Sequence, residues 1–281
     1  MGVYQMISEG RVAVVTGAAS GIGRAACRAF AARGMSVCLV DLPGPSLDSA
    51  LAEITEAARG GSDAIAKLPA DVSVPEQIEA VHRQAIARFG KVHLLMNNAA
   101  SQVGRGHGAD IADWRQAMEV NFWGVVNAVR TFLPDMRSMG EPGMIVNVGS
   151  KQGITNPPGH PIYNITKAAL KTYTEALEHD LRSDPDNQGG KRISAHLLIP
   201  GWTTTGDAVH PPGAWLPDQV VEFMIEGLAS GDFYLLCPDD DVTTEMDHKR
   251  ILWAARDITQ NRPPLSRWHP EFEALAKTEC S

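Results

Sequence analysis

The chain has 281 residues, a formal net charge of −8 at pH 7 and a hydrophobic fraction of 44%. That length is compatible with one large or two small domains, and the hydrophobic fraction is ordinary for a soluble globular protein. The acidic balance argues against binding to duplex nucleic acid, because duplex-binding proteins usually carry a basic face. No apolar run is long enough to span a bilayer, so neither nucleic acid nor a membrane is an expected partner.

The four cysteines, Cys27, Cys38, Cys237 and Cys280, lie far apart and form no Cys-x-x-Cys pair. Neither a disulfide framework nor a cysteine zinc site is therefore expected. The nine histidines show no metal-ligand spacing, so no metal site is predicted. Residues 1–10 lack the basic and apolar regions of a secretory signal, and the expected location is the cytoplasm.

The first βα unit begins with the apolar run at residues 11–16, which is typical of a buried strand. The glycine turn Thr16-Gly17-Ala18-Ala19-Ser20-Gly21-Ile22-Gly23 leads from it to a helix predicted over 24–33, which Gly34 ends. Glycines here let backbone N–H groups approach a pyrophosphate, and the helix N-terminus adds a favourable dipole. A plain turn is the alternative, but strand, glycine turn and helix together favour nucleotide binding.

The second strand, predicted over 36–40, ends at Asp41. A carboxylate in this place accepts hydrogen bonds from both hydroxyls of an adenosine ribose and repels a 2′-phosphate. No basic residue follows Asp41, and Ser20 in the glycine turn is neutral. The sequence therefore favours NAD over NADP as the cofactor. Asp41 could also cap the turn at Pro43-Gly44, which is compatible with ribose binding.

The alternation of strands and helices continues without a Pro/Ser-rich linker, an internal repeat or a low-complexity segment. Near-continuous apolar strands between amphipathic helices indicate a parallel sheet that is covered on both faces. We predict an α/β fold with a doubly wound parallel sheet (Rossmann type) and one domain over residues 1–281. Further strands are predicted at 64–68, 93–96 and 144–148, and helices at 47–59, 75–89 and 111–139.

A helix predicted over 161–181 opens with Pro161 and carries Tyr163 and Lys167. Residues four apart lie side by side on a helix, so the phenol and the ammonium are neighbours. A nearby cation favours the phenolate and lowers the pKa of a tyrosine toward working pH, which suits a general acid/base. An ordinary amphipathic helix is the alternative, and this pair alone does not exclude it.

Further short motifs continue along the chain in a fixed order. With those above, they are Thr16-Gly17-x-x-x-Gly21-Ile22-Gly23, Asp41, Asp71-Val72, Asn97-Asn98-Ala99, Val120-Asn121-x-x-Gly124, Ser150, Tyr163-x-x-x-Lys167 and Pro200-Gly201. Taken together, these residues resemble the short-chain dehydrogenase/reductase family across about residues 11–205. Ala100 replaces a usual glycine of that family, and its usual Val-Asp-Gly-Gly ending is absent near residue 237.

The resemblance implies four catalytic residues. Tyr163 exchanges a proton with the substrate oxygen, and Ser150 hydrogen-bonds that oxygen. Lys167 holds the nicotinamide ribose and lowers the tyrosine pKa. Asn121 holds a water that relays protons from Lys167 to solvent; a polar break in a buried helix is the alternative for Asn121.

The resemblance also implies a set of cofactor-binding residues. Asp71-Val72 resembles the adenine contact, Asn98 a contact on the ribose side, and Thr205 a contact to the carboxamide or pyrophosphate. The full set is Gly17, Ser20, Gly21, Ile22, Gly23, Asp41, Asp71, Val72, Asn98, Tyr163, Lys167, Pro200, Gly201, Thr203 and Thr205.

The segment at about 202–230 is predicted to form the substrate lid, with a helix at 218–228 and a last strand at 231–237. Four apolar side chains are candidates either to line a pocket or to pack the lid on the core: Trp202, Trp215, Phe223 and Met224. A C-terminal tail at about 239–281 includes a helix at 245–258. The acidic residues 239–241 lack the glycine and spacing of a calcium loop and are interpreted as a solvated turn.

The leading hypothesis is an NAD-dependent oxidoreductase acting on a ketone or secondary alcohol, with a hydrophobic or ring-bearing substrate. Alternatives on the same scaffold are a dehydratase, an epimerase or an imine reductase, because fold does not fix function. A dinucleotide-sensing protein without turnover is a further alternative, but it would need none of the proton-relay residues. The resemblance also implies a homo-oligomer, a tetramer or a dimer, joined through the helices at 110–139 and 161–181.

Overall fold

A computed structural model of the protein describes residues 6–189, 192–206 and 209–280. Within them, seven strands form one sheet, and every neighbouring pair is parallel. The strands are β1 Val12–Thr16, β2 Ser36–Asp41, β3 Ile65–Pro69, β4 Leu94–Asn97, β5 Gly143–Val148, β6 Ile193–Ile199 and β7 Tyr234–Leu236. Their order in the sheet is β3-β2-β1-β4-β5-β6-β7. The chain adds strands on one side of β1 as far as β3 and then on the other side from β4 onward, and sheets of this kind bind ligands at the crevice between β1 and β4.

Ten α-helices surround the sheet in the described part of the chain. Proline occupies the first turn of four of them, where its missing N–H costs nothing. The helices are α1 Gly21–Ala32, α2 Pro45–Ala57, α3 Pro75–Phe89, α4 Ile111–Met118, α5 Gly124–Ser138, α6 Gln152–Thr155, α7 Pro161–Ser183, α8 Pro217–Ser230, α9 Thr244–Thr259 and α10 Glu273–Glu279.

Helices cover both faces of the sheet, as the continuous apolar strands predict. In β1, Ala13 and Val15 pack into one core with residues of α1, α2 and α8. Val12 and Val14 point to the opposite face and pack with residues of α3, α5 and α7. The predicted doubly wound α/β fold is confirmed.

The helical run predicted over 111–139 is present but is not one regular α-helix. A π-helical segment at Glu119–Trp123 joins α4 to α5, and the backbone stays helical at both junctions. Such segments are rare and occur frequently at functional sites. Asn121 lies within this segment and is fully buried.

Apart from shifts of one or two residues at the ends of elements, three differences from the sequence prediction stand out. Helix α1 begins at Gly21, one turn earlier than predicted, so the last glycines of the turn belong to the helix. The last strand is shorter than 231–237, because Gly231 has φ +80° and ends α8. Strand β6 was not predicted at all, although its residues are almost all buried.

The end of the chain forms a separate small cluster. Trp253 on α9 packs with Phe272, Ala276 and Cys280. The predicted helix at 245–258 corresponds to α9. No helix in the described ranges is both long and apolar enough to cross a membrane.

Candidate active site

A cavity of about 930 Å³ crosses the carboxyl ends of β1, β2, β4 and β5. Of the residues expected to bind the cofactor, only Gly23 does not line it, and among the catalytic residues only Asn121 does not. The predicted residues on its wall are Gly17, Ser20, Gly21, Ile22, Asp41, Asp71, Val72, Asn98, Ser150, Tyr163, Lys167, Pro200, Gly201, Thr203 and Thr205.

The glycine turn at one end of the cavity is too tight for side chains. A Cβ on Gly23 would lie 2.1 Å from the carbonyl oxygen of Gly17, so Gly23 lets α1 start directly against the turn. Gly17 has φ +67°, and a Cβ there would lie 2.8 Å from the Cα of Ala99. The Ser20 side chain does not cap α1, so it leaves the first N–H groups of the helix to another acceptor.

Asp41, at the end of β2, is fixed by two backbone donors. Its Oδ2 accepts from Ala19 N at 2.8 Å, and its Oδ1 accepts from Leu42 N at 2.8 Å. The first of these bonds joins the carboxylate to the glycine turn. The carboxylate is therefore held rigidly on the cavity wall where an adenosine ribose is expected.

Asn98, after β4, ties the glycine turn to the neighbouring strand. Its Nδ2 donates to the carbonyls of Thr16 and Gly17 at 3.0 and 3.1 Å, and its backbone N donates to Thr16 Oγ1 at 3.0 Å. Asn98 thus shapes the turn as well as lining the cavity.

Asp71 and Val72 form the wall after β3. Asp71 Oδ1 accepts from the backbone N and the hydroxyl of Ser73 at 2.9 and 2.6 Å, which folds the segment into a turn. Val72 packs so closely on α5 that a Cβ on Gly124 would lie 3.0 Å from its Cγ2. This packing accounts for the glycine at 124.

Tyr163, Ser150 and Lys167 meet at the other end of the cavity. The side chains of Ser150 and Gln102 lie close enough to the Tyr163 hydroxyl to act on its pKa. The Lys167 ammonium lies 5.6 Å from the centroid of the Tyr163 ring and donates to Val148 O, at the end of β5, at 2.7 Å. Helix α7 therefore presents the phenol and the amine together beside the hydroxyl of Ser150.

Burial governs the ionisation of both groups on α7. Burial raises the pKa of Tyr163 above its usual value, although the hydrogen bonds from Ser150 and Gln102 act in the opposite direction. The pKa of Lys167 is lowered to about 8, because its ammonium is removed from water. The net shift of the Tyr163 pKa is thus upward, opposite to the lowering by Lys167 that the sequence predicts.

Asn121 contacts neither Tyr163 nor Lys167 through its amide. Its Oδ1 accepts from Ser101 N at 2.6 Å, and its Nδ2 donates to Ser101 O at 2.9 Å and to Thr166 Oγ1 at 3.0 Å. The amide therefore joins the loop after β4 to α7. Both of its donor hydrogens are used in doing so.

The four apolar candidates for the substrate pocket divide into two groups. Trp202 lines the cavity and is 53% exposed. Met224 is fully buried in the core, and Trp215 and Phe223 pack against that core with their ring centroids 6.0 Å apart. Phe223 and Met224 of α8, and Trp215 just before this helix, thus pack on the core and do not line the cavity.

The interpretation of residues 239–241 as a solvated turn is wrong for Asp239. This carboxylate is buried, and its Oδ2 accepts from Trp202 N at 3.0 Å and pairs with the Lys151 ammonium at 3.2 Å. Lys151 also pairs with buried Asp247 of α9 at 2.6 Å. Burial alone is unfavourable for these carboxylates, and the shared cation compensates for it. In the described ranges, no cluster of three or more His, Cys, Asp or Glu side chains could hold a metal.

The polar residues that line the cavity without having been predicted include Gln102, Lys151 and Gln152. Lys151 and Gln152 directly follow Ser150, and Gln102 lies four residues beyond Asn98. Position next to a motif residue was their only sequence signal. The pairing of Lys151 with Asp239, 88 residues away, leaves no pattern in the sequence.

Comparison with known proteins agrees with this geometry. A family model described as short chain dehydrogenase matches residues 11–209, well over half of the chain. The chain belongs to the short-chain dehydrogenase/reductase family. The structure of a short-chain dehydrogenase/reductase from Burkholderia phymatum in complex with NAD has the same fold, with a TM-score of 0.80, 31% identity, and coverage of 91% of this chain and 96% of that one.

Curated relatives of this short-chain dehydrogenase match over different lengths. The oxidoreductase SadH of Mycobacterium tuberculosis is 34% identical over 174 residues, which are 62% of this chain and 61% of SadH. A 1-deoxy-11-beta-hydroxypentalenate dehydrogenase from Streptomyces arenae is 30% identical over 276 residues, 94% of this chain and 95% of the relative. The second match extends into the C-terminal part of the chain, beyond residue 209, where the family model ends.

Proposed function

We propose that this short-chain dehydrogenase interconverts a secondary alcohol and a ketone with NAD(H), using Tyr163 as the general acid/base. The observation that carries this proposal is the position of Tyr163, Ser150 and Lys167 on the wall of one cavity that also holds the glycine turn, with the Lys167 ammonium 5.6 Å from the centroid of the Tyr163 ring. In the oxidative direction, the alcohol and NAD⁺ give the ketone, NADH and one proton.

The residues of the cavity fit a dinucleotide. The turn excludes side chains at Gly17 and Gly23, and the start of α1 is free of a side-chain cap. Backbone N–H groups at such a helix start suit a pyrophosphate. When bound, NAD supplies the nicotinamide carbon that accepts or returns the hydride.

Asp41 supports NAD rather than NADP. Its carboxylate is fixed by Ala19 N and Leu42 N, and it would repel a 2′-phosphate at the same ribose. Within the described residues, the lysines on the cavity wall are Lys151 and Lys167, and the wall has no arginine. Lys167 lies beside Tyr163, and Lys151 pairs with Asp239 and Asp247.

The proton chemistry is assigned to α7 and the end of β5. Ser150 Oγ accepts from Gln152 N at 3.2 Å, which directs its own hydrogen toward the substrate oxygen. Tyr163 takes the proton of an alcohol or gives one to a ketone. Donors that face the developing negative charge stabilise it most effectively in a water-excluded site.

Asn121 is proposed to support this proton transfer. Because both hydrogens of its amide bond Ser101 and Thr166, a water in a relay from Lys167 would have to use its other atoms. Through the same bonds it fixes the loop that carries Gln102.

A ring-bearing substrate remains our proposal for the apolar part of the pocket. Trp202 supplies one broad, partly exposed aromatic face on the cavity wall. Turnover of cyclohexanol and 1-phenylethanol is expected to exceed that of linear polyols. A preference for linear polyols would refute this part of the proposal.

The experiment that tests the activity measures NADH absorbance with a panel of cyclic and aromatic alcohols and ketones. Tyr163→Phe should lower kcat by about 10²–10⁴-fold, the usual contribution of a general acid/base, and leave NADH binding nearly intact. Tyr173→Phe on the same helix is the matched control, since Tyr173 packs against the core away from the cavity. An unchanged rate in Tyr163→Phe contradicts the assigned role.

Three further expectations stay proposals. The apolar residues Ile111, Trp123 and Ile165 are exposed on α4, the π-helical segment and α7, which supports a homo-oligomer through these helices. Sedimentation of the protein and of a Trp123→Glu variant tests this. All four cysteines are unpaired, which suits a reducing cytoplasm, and residues 1–281 are proposed to form one domain.

A further inference from the structure

His160 is a titratable residue of the cavity wall that the proton transfer proposed above does not use. It lines the same cavity as Ser150 and Tyr163, and it directly precedes α7, three residues before Tyr163. Residues three apart lie on one face of a helix, with their Cβ atoms about 5–6 Å from each other. The imidazole is therefore close to the position at which a substrate contacts Tyr163.

The loop after β4 holds the segment that carries His160. Gly106 N donates to Gly159 O at 3.2 Å. Gly104, with φ +69°, lies so close to α7 that a Cβ there would be 2.8 Å from Ile162 Cδ1. Contacts on both sides of His160 thus attach this loop to the beginning of α7.

Arg105, between these two glycines of the loop, sets the tautomer of His160. Its Nη1 lies 3.4 Å from His160 Nε2. A guanidinium can only donate, so Nε2 is the acceptor and the hydrogen of the neutral ring is on Nδ1. Nδ1 has no hydrogen-bond partner among the described residues, and it is not one of the buried atoms that lack a partner. His160 therefore offers an accessible N–H donor to a ligand.

The charge behind this donor is positive. Arg105 is exposed and pairs with no carboxylate in the described part of the chain, although Asp113 lies beside Gly104. Lys151, on the cavity wall, is by contrast paired with two buried aspartates. A donor of this kind, with an unpaired cation next to it, favours an anionic acceptor over a neutral one, because hydrogen bonds to ionised groups are stronger.

We propose that His160 determines substrate specificity by donating its Nδ1–H to a carboxylate of the substrate, with Arg105 attracting the negative charge. The substrate class is a ring-bearing hydroxy acid, or in the reverse direction the corresponding keto acid. This inference rests on the proposed alcohol–ketone activity. The carbinol C–H bond breaks as hydride leaves for NAD⁺ and the O–H proton goes to Tyr163; the carboxylate is unchanged.

The test compares three alcohols that share one benzylic carbinol. They are 3-hydroxy-3-phenylpropanoate, its methyl ester and 1-phenylpropan-1-ol, and initial rates of NAD⁺ reduction are measured with each enantiomer. The kcat/KM of the preferred acid should exceed that of 1-phenylpropan-1-ol by about ten- to a hundredfold, the range for one hydrogen bond to a charged group. The ester should gain about threefold at most, as expected for a neutral acceptor.

Two variants of His160 separate hydrogen bonding from a purely structural role. His160→Leu removes the donor, so the ratio of acid to alcohol should fall to within about threefold of unity. His160→Asn keeps an N–H close to the position of Nδ1, so most of the ratio should remain. His107→Leu is the matched control: His107 is exposed in the same loop and does not line the cavity, and the ratio should keep its wild-type value. Each ratio is taken within one protein, so a general loss of activity cancels.

Arg105→Met tests the contribution of the charge. Arg105 is exposed, so this variant should fold even if His160→Leu does not. The preference for the acid should fall by about two- to fivefold, as for the loss of an exposed ion pair, while the ratio of ester to alcohol stays the same.

The outcomes separate the inference from the function on which it rests. Equal kcat/KM for acid and alcohol, an ester used as well as the acid, or a preference that persists in His160→Leu or is unchanged in Arg105→Met overturns the inference and leaves the dehydrogenase proposal intact. No turnover of any alcohol or ketone in the panel overturns both. An acid preference that His160→Leu removes and that His160→Asn and His107→Leu keep supports the inference.

Discussion

At the dinucleotide end of the cavity, hydrogen bonds to the backbone hold the functional side chains in place. At the substrate end, the wall is held by ion pairs between charged side chains from distant segments. Asp41 is bonded to Ala19 N, 22 residues away in the same βαβ unit. Lys151 is bonded to Asp239, 88 residues away, and through it to Trp202 N. A pattern of glycines and one carboxylate can therefore encode the first end but not the second.

This difference implies that substitutions can alter the dinucleotide end and the substrate end of the cavity independently. The buried Lys151 pairs hold the Trp202 segment and α9 against the active site, but they make no contact with the glycine turn. Substitutions there should change substrate turnover and stability. Substitutions in the turn should change dinucleotide binding instead.

The largest effect is expected for Lys151→Met, which leaves Asp239 and Asp247 buried without their cation. Breaking such a pair costs about 3–5 kcal/mol, so the free energy of unfolding should fall by that amount. Turnover should also fall, while the Kd for NADH stays nearly unchanged. Denaturant unfolding, steady-state kinetics and NADH titration measure the three quantities.

Lys171→Met provides the matched control for Lys151. Lys171 pairs with Glu175 four residues along α7, and both side chains are about one-third exposed. An exposed pair of this kind contributes about 0–1 kcal/mol. If Lys151→Met were as mild as Lys171→Met, the charged cluster would not be what holds the substrate end together.

Almost all of the residues predicted for the dinucleotide end line the cavity, because each of them lies within a local sequence pattern. Gly17, Gly21 and Asp41 are identified by a strand, a turn and a helix in succession. The two roles that differ in the structure are those of Gly23, which packs α1 on the turn, and Asn121, whose amide bonds the protein itself.

The substrate end could not be predicted in this way. Trp202 and Met224 are both apolar and close to each other in the chain, yet one lines the cavity and the other lies in the core. Their environments depend on how α8 packs on α1, which is a property of the tertiary structure. Asp239 was interpreted as solvated for the same reason. Its cation, Lys151, lies 88 residues earlier in the chain, so no local pattern links the two.

A second prediction concerns the titration of Lys167. Burial lowers its pKa from 10.5 to about 8, so between these values the unfolded chain binds more protons than the folded one. Stability of the wild type relative to Lys167→Met should therefore rise with pH across this window, by about 3 kcal/mol in total, and be flat below it. Urea unfolding of both proteins at a series of pH values measures the difference; parallel curves would contradict it.

The third prediction tests the glycine turn. Gly23→Ala places a methyl group against Gly17 O, and overpacking of this kind costs about 1–3 kcal/mol. The Kd for NADH should rise by about ten- to a hundredfold as the turn is displaced. Gly108→Ala is the control, because a Cβ there meets no atom within 4 Å. Unaltered NADH binding in Gly23→Ala would show that α1 can move without disturbing the dinucleotide end.

The smallest effect is expected for Asp41→Ala and concerns cofactor choice alone. Removing the carboxylate takes away the acceptor for the ribose hydroxyls and the repulsion of a 2′-phosphate, so the ratio of kcat/KM with NADP to that with NAD should rise by about tenfold or more. Asp48→Ala is the matched control, since Asp48 is exposed on α2 and pairs with Lys67.

Because Asp41 is also bonded to the glycine turn, part of the change will be weaker binding of both cofactors. The ratio separates the two effects: a loss of binding that leaves it constant would mean that Asp41 shapes the turn without selecting the cofactor.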